Sequence, residues 1–194
     1  DLHLFSGRSR GIEELYQLID DQPDLSLIIL NGDIFDFKWN QHQDRDEGYR
    51  EAQDIYRQLC QRYPKLTVIY LSGNHDQEVT FETYIKELMQ QEEGFLWFSD
   101  FLQIGNKLFH HGDLFFQKKQ SRFPILAFPT KSSALYQAYK GITTLQLNRV
   151  VEPALQPERV CPYIEKHWSQ YFDQRGVTDI YFGHTHVPFE GFEV

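Results

Sequence analysis

Leu27-Ile28-Ile29-Leu30-Asn31-Gly32-Asp33-Ile34-Phe35-Asp36 is the stretch that decides the fold. Four consecutive large apolar residues predict a short strand buried on both faces, the pattern of a sheet covered by other layers. The run stops at Asn31-Gly32, a turn pair, and delivers Asp33 at the C-terminal end of the strand. In open sheets that is the end beyond which ligands bind. Working outward, Asp1-Leu2-His3 opens the chain and Val68-Ile69-Tyr70-Leu71 runs into Gly73-Asn74-His75-Asp76. Lys107-Leu108-Phe109 leads to His110-His111-Gly112-Asp113, and Ile180-Tyr181-Phe182 to Gly183-His184-Thr185-His186. Most of these clusters repeat one arrangement, an apolar run followed by oxygen and imidazole side chains.

The segments between them alternate in period. Leu15, Leu18 and Ile19 share a helical face over Ile12–Asp20, with Ser9 as a plausible N-cap and Glu13 and Glu14 in the first turn. Pro23 closes that helix, and a strand over Leu25–Leu30 follows, which is the start of a parallel α/β layout. Phe35 to Gly48 reads as a loop, Glu51–Tyr63 as a helix, Leu66–Leu71 as a strand and Phe81–Gln91 as a third helix. Phe95–Phe98, Phe101–Ile104 and Lys107–His110 are short strands, the last two joined by Gly105-Asn106 as in a tight hairpin. Two further helical patterns cover Ser133–Val151 and Pro157–Gln174.

The chain has 194 residues, 41% of them hydrophobic, which suits one domain with a full core. A net charge of −9 argues against nucleic-acid binding, because neutralising phosphates needs a basic face. Cys60 and Cys161 stand in no metal spacing and fit reduced thiols in a reducing compartment. No run approaches the roughly 18 apolar residues that span a bilayer. The first motif lacks the apolar run that precedes the others, and the chain stops inside a strand-like Phe189–Val194. Residues beyond both termini are therefore expected.

Singly, each motif is weak: Gly-Asp after a strand is often only a turn, and Gly-His is commonplace. Their ensemble carries the weight, since costly polar groups at so many strand ends call for a common purpose. In order, Asp-x-His, Gly-Asp-x-x-Asp, Gly-Asn-His-Asp, His-Gly-Asp and Gly-His-Thr-His resemble the calcineurin-like metallophosphoesterase superfamily over almost the whole chain. Asp1-Leu2-His3-Leu4, His111-Gly112-Asp113 and Gly183-His184-Thr185-His186-Val187-Pro188, with a helical insertion before the last of them, look like the UDP-2,3-diacylglucosamine hydrolase branch. That branch typically carries Arg where this chain has His75.

The resemblance implies an α/β fold, a mixed β-sheet sandwich flanked by helices, in a single domain over 1–194 with a helical cap at 115–175. It implies one metal on Asp1, His3, Asp33 and His186, and a second on Asp33, Asn74, His111 and His184. Asp33, Asn74 and His75 would be catalytic, with His75 as general acid or phosphate-binding group. Asp36, Asp76 and Asp113 would orient imidazoles and backbone from behind. His110 and His42 are read as bystanders. Carboxylate, amide and imidazole ligation without thiolate suits Mn²⁺, with Fe or Zn²⁺ as alternatives. Two ions roughly 3.5–4 Å apart would activate water and polarise phosphoryl oxygens.

The segment from Phe115 to Arg175 interleaves aromatics with Lys118, Lys119 and Arg122. It is either a helical pair packed on the sheet edge or a cap over the metals. In the cap reading those cations reach phosphate while Phe123 and Phe128 receive an apolar or lipid moiety. The expected activity is hydrolysis of a phosphoester or pyrophosphate bond in a phosphorylated small-molecule or lipid-linked substrate. The resemblance would make it a UDP-2,3-diacylglucosamine diphosphatase of lipid A biosynthesis, cytoplasmic and peripheral to the inner membrane face through its cap. A phosphodiesterase or phosphomonoesterase acting on nucleotides or other small molecules is the alternative, and a non-enzymatic scaffold of the same fold the remaining one.

Overall fold

The computed structural model describes residues 1–6, 9, 11–38, 42, 44–113, 156–168 and 176–184. Among them the order is α1 (Gly11–Asp20), β1 (Leu27–Asn31), α2 (Arg45–Arg62), β2 (Thr67–Leu71), α3 (Val79–Gln91), β3 (Phe95–Phe98), β4 (Phe101–Ile104), β5 (Lys107–His110), α4 (Pro157–Trp168) and β6 (Asp179–Phe182). The result is a mixed α/β fold with two three-stranded sheets.

The first sheet is parallel, ordered β1-β2-β3, with Leu27 opposite Thr67 and Val68 opposite Phe95. Leu4 adds a parallel bridge to Phe35, just past the end of β1. The second sheet is ordered β4-β5-β6. Its hairpin, β4 with β5, turns at Gly105-Asn106 where Gly105 has φ +60°, and β6 then runs parallel to β5.

Burial corrects the reading of Leu27–Leu30. Leu27 is 38% exposed and only Leu30 of that run is fully buried, because β1 lies at the edge of the described sheet. The strand covered on both faces is the central one, β2, where Val68 to Leu71 are all buried. The main core joins its faces to Leu15 and Ile19 of α1, Tyr56 and Leu59 of α2, and Phe81, Ile85 and Leu88 of α3. Rings dominate it: Phe37 stands 4.7 Å from Phe81 and Phe35 stands 5.2 Å from Tyr56, centroid to centroid. Such pairs add about 0.5–1.5 kcal/mol each beyond the area they bury. A smaller cluster seats Val160 and Ile164, one helical turn apart on α4, against Leu108 of β5.

Helix α2 begins six residues earlier than the apolar spacing implies. Asp44 caps it, accepting the Asp46 N–H at 3.1 Å, and Asp46 and Glu47 complement the positive helix end. Charged residues thus extend the helix into what reads as loop. Ser9 Oγ accepts the Gly11 N–H at 3.1 Å and donates to the Leu2 carbonyl at 2.6 Å, tying the start of α1 to the first motif. The helical pattern at Ser133–Val151, most of the cap span and Phe189–Val194 lie outside the described residues. No described helix is long and apolar enough to cross a membrane.

Candidate metal centre

Asp33 is the meeting point. It follows β1 through Gly32, whose φ of +82° only glycine adopts freely, and it is itself held at φ +51°. His3 and His184 also take positive φ, at 46° and 63°. Side chains other than glycine, Asn or Asp pay about 1–3 kcal/mol for such a conformation, which persists only where the surroundings impose it. Three of the four described non-glycine residues with positive φ are therefore candidate ligands, Phe5 being the fourth.

Among the described residues, two donor clusters share Asp33. In the first, one ligand atom each from His3, Asp33 and His75 lies within 4.8 Å of the others; in the second, the same holds for Asp33, His111 and His184. The second is the tighter. His111 Nε2 is 3.2 Å from Asp33 Oδ2, 3.3 Å from Asn74 Oδ1 and 3.3 Å from His184 Nδ1. His111 Nδ1 lies 3.1 Å from the Asn31 carbonyl, so Nδ1 carries the hydrogen and Nε2 presents a lone pair. Carboxylate and amide oxygens and the His184 ring nitrogen thus converge on His111 Nε2, a donor set that a cation would hold together. Burial acts to lower the His111 pKa, but the Asp33 hydrogen bond and charge prevail and raise it. Burial likewise acts to raise Asp33, yet the His111 hydrogen bond, the charges of His111 and His75 and the His75 N–H at 2.7 Å hold it well below the usual carboxylate range.

Glycines make the convergence possible. A Cβ on Gly73 would collide with the Asp33 carboxylate and backbone nitrogen, and one on Gly32 with the His111 ring.

Asp36 is buried, 3.0 Å from His75 Nδ1 through Oδ1 and 3.7 Å from His3 Nδ1 through Oδ2. Asp76, fully buried, accepts the Gly73 N–H at 2.6 Å and those of Ile34 and Phe35 at 2.7 and 3.3 Å. It thereby pins the loop after β2 to the Asp33 turn, while burial and the Asp33 charge push its pKa up to about 7. Asp113 is buried and its charge acts on His111. Asp1 belongs to neither donor group but lies against the second, its carboxylate 3.5 Å from His111 Nδ1 and accepting the His184 N–H at 3.4 Å. His186, Lys118, Lys119, Arg122, Phe123 and Phe128 lie outside the described residues.

Two residues that the sequence reading passed over shape the site. Asn31, read as half of a turn pair, is the last residue of β1; its Nδ2 donates to the carbonyls of His110 and Tyr181, at 3.0 and 3.1 Å, stitching the two sheets. His110, read as a bystander, is buried, and its Nδ1 accepts the Gly112 N–H at 2.7 Å, shaping the turn that follows His111. Burial and the charges of His111 and His184 push its pKa down to about 3. Neither residue carried a sequence signal, because amides and imidazoles that bond backbone have no fixed spacing. His42 is held between Glu47 and Glu51, at 3.8 and 3.3 Å.

A family model described as calcineurin-like phosphoesterase matches residues 1–188. No curated protein and no solved structure matches the chain.

Proposed function

Because the chain belongs to the calcineurin-like phosphoesterase family, whose members bind two divalent ions and hydrolyse phosphoesters, we propose that it is a hydrolase of phosphoester or pyrophosphate bonds working from the centre around Asp33. The observation that carries this is the convergence of Asp33, Asn74 and His184 donor atoms on His111 Nε2. Those four residues would hold one ion, and Asp1, His3, Asp33 and His186 the other. The oxygen and nitrogen donors suit Mn²⁺, Fe or Zn²⁺, of which Mn²⁺ is our assignment. When bound, two such ions would activate water and neutralise the charge on the phosphoryl group.

The remaining work falls to the chain. Asp33 could serve both ions, since a carboxylate has two oxygens. Asp36 lies 3.0 Å from His75 Nδ1; with that N–H donated to Asp36, the imidazolium form of His75 would carry a second proton on Nε2 to give to the leaving oxygen. The UDP-2,3-diacylglucosamine diphosphatase reading, with its lipid-receiving cap over 115–175 and a seat at the membrane face, rests on motif resemblance. The His75–Asp36 pair favours a second reading, a phosphomonoesterase or phosphodiesterase on small molecules. Breaking a pyrophosphate expels a stable phosphate anion, whereas an alkyl ester expels a basic alkoxide that benefits from a proton donor.

Metal analysis of the purified protein, with assays on p-nitrophenyl phosphate, its bis ester and a nucleoside diphosphate sugar, tests the proposal. About two ions per chain and chelator-sensitive turnover on at least one substrate are expected. A metal-loaded protein inert on all three would favour the scaffold reading.

A further inference from the structure

Lys38 entered none of the motif readings. It lies five positions past Asp33 and is half-buried. Asp36 and Phe37, just before it, are 1% and 2% exposed. The Phe37 N–H donates to the His75 carbonyl at 3.2 Å, and the Phe37 ring is wedged against Tyr49 and Phe81, at 4.9 and 4.7 Å. The backbone that delivers Lys38 is therefore fixed beside His75, at the edge of the centre.

Its electrostatic surroundings are unusual. Asp33, Asp36, Asp113 and Asp76 all act on the ammonium, yet it makes no ion pair or hydrogen bond with any of them or with any other described residue. Burial meanwhile lowers its pKa, outweighing the pull of the four carboxylates. An ammonium drawn partly out of water normally closes on a carboxylate when one is near, because an unpaired buried charge is costly. Were divalent ions to engage Asp33, the field at Lys38 would lose its main negative source, and a bound anion would restore balance.

We propose that Lys38 binds the phosphoryl group of the substrate and biases this site toward dianionic phosphate monoesters over singly charged diesters. This rests on the phosphoester hydrolase reading above and adds to it the substrate's charge class. Coulomb attraction scales with the charge of the ligand, so one added cation favours the dianion. Lysine serves as a point charge on phosphate, whereas arginine forks onto two oxygens, so the two should substitute for each other in part.

The test uses the metal-loaded full chain and its Lys38→Met, Lys38→Gln and Lys38→Arg variants. Inorganic phosphate binding is measured by calorimetry alongside metal content and turnover of p-nitrophenyl phosphate and its bis ester. Both neutral variants should keep the metal content of the wild type, weaken phosphate binding about 10–100-fold, the scale of a charged hydrogen bond, and lose more kcat/KM on the monoester than on the diester. Lys38→Arg should recover most of the loss. Unchanged phosphate affinity, or equal losses on the two esters, overturns the assignment. So does a fall of more than about 4 °C in the melting temperature of the metal-free neutral variants, which would make Lys38 an internal counterion. A wild type that binds phosphate but hydrolyses nothing defeats the hydrolase reading and leaves Lys38 as an anion site. A wild type that binds no phosphate defeats the Lys38 assignment, and the hydrolase reading falls with it only if neither ester is turned over.

Discussion

His111 Nδ1 lies 3.1 Å from the carbonyl oxygen of Asn31, and a carbonyl can only accept. The other nitrogen of His111 is therefore the one offered to Asp33. Asn31 in turn donates its side-chain amide to the carbonyl of His110, so the two segments hold each other in register. The candidate ligand and the residue that fixes its tautomer come from different sheets.

Metal and proton should compete at His111. Its folded pKa is raised above 6.5, so its contribution to the metal-free fold is present below about 6.5 and lost as pH rises through the folded value. The melting temperature of chelated protein should fall over that rise. Metal affinity should move the opposite way, strengthening by about tenfold per pH unit until His111 is deprotonated. Calorimetry in buffers of different ionisation enthalpy counts the proton released. A pH-independent affinity would remove His111 from the ligand set.

Asp33→Asn keeps the shape of the centre and removes its charge. Loss of one or both ions and a fall in kcat of about a thousand-fold or more are expected, several kcal/mol of charge stabilisation being at stake. Metal content and single-turnover rates check this; full occupancy with near-normal kcat would show that another carboxylate bridges.

His75→Ala should cost an alkyl phosphoester about 10²–10⁴-fold in kcat, the usual worth of a positioned proton donor, and a p-nitrophenyl ester far less. Asp36→Asn should reproduce the pattern in weaker form, about 10–100-fold, because it disturbs the His75 hydrogen bond without removing the ring. Equal losses on the two esters would make His75 a phosphate-binding or structural residue.

Gly73→Ala drives a methyl group into Asp33, and an overpacked site of this kind costs about 1–3 kcal/mol. Gly105→Ala is the matched control: it also strains the chain, at φ +60°, but meets nothing within 4 Å, so about 1–2 kcal/mol of backbone cost is all it should show. Both should melt early, but only Gly73→Ala should lose metal. Equal metal content in the two variants would mean that Asp33 can move aside.

Tyr49→Phe removes the hydroxyl that donates to buried Glu78 at 2.7 Å, leaving that carboxylate the Arg45 guanidinium at 3.4 Å. Destabilisation by about 1–3 kcal/mol in denaturant melts, with turnover unchanged, is the expected result. A loss of turnover at unchanged stability would tie α2 to the site.

Much of the layout was legible because strand-end chemistry is local. The apolar run, the glycine and the carboxylate of Leu30-Asn31-Gly32-Asp33 are adjacent in the chain, and the Gly105-Asn106 hairpin is as compact. What escaped was non-local or neutral in pattern. Edge and centre of a sheet differ in which strands flank them, so the run Leu27–Leu30 could not reveal that β2 is the better covered. The start of α2 was hidden because its first turn is charged rather than apolar. Asn31 and His110 act through backbone partners, and Lys38 through the space around it. Asp1 shows the limit from the other side, since its type was recognisable but its placement toward His111 was not.

The stitch made by Asn31 means the centre is built across a seam. Asp33 and Asn74 follow strands of the first sheet, whereas His111 and His184 follow strands of the second. An ion held by members of both sets would be a rivet, and its removal a mechanical event as well as a chemical one. Pulled apart by force or denaturant, the chelated protein should yield along this line as two units, the loaded one as a single unit. Amide exchange in β1 and β5 would then report metal occupancy from outside the ligand sphere.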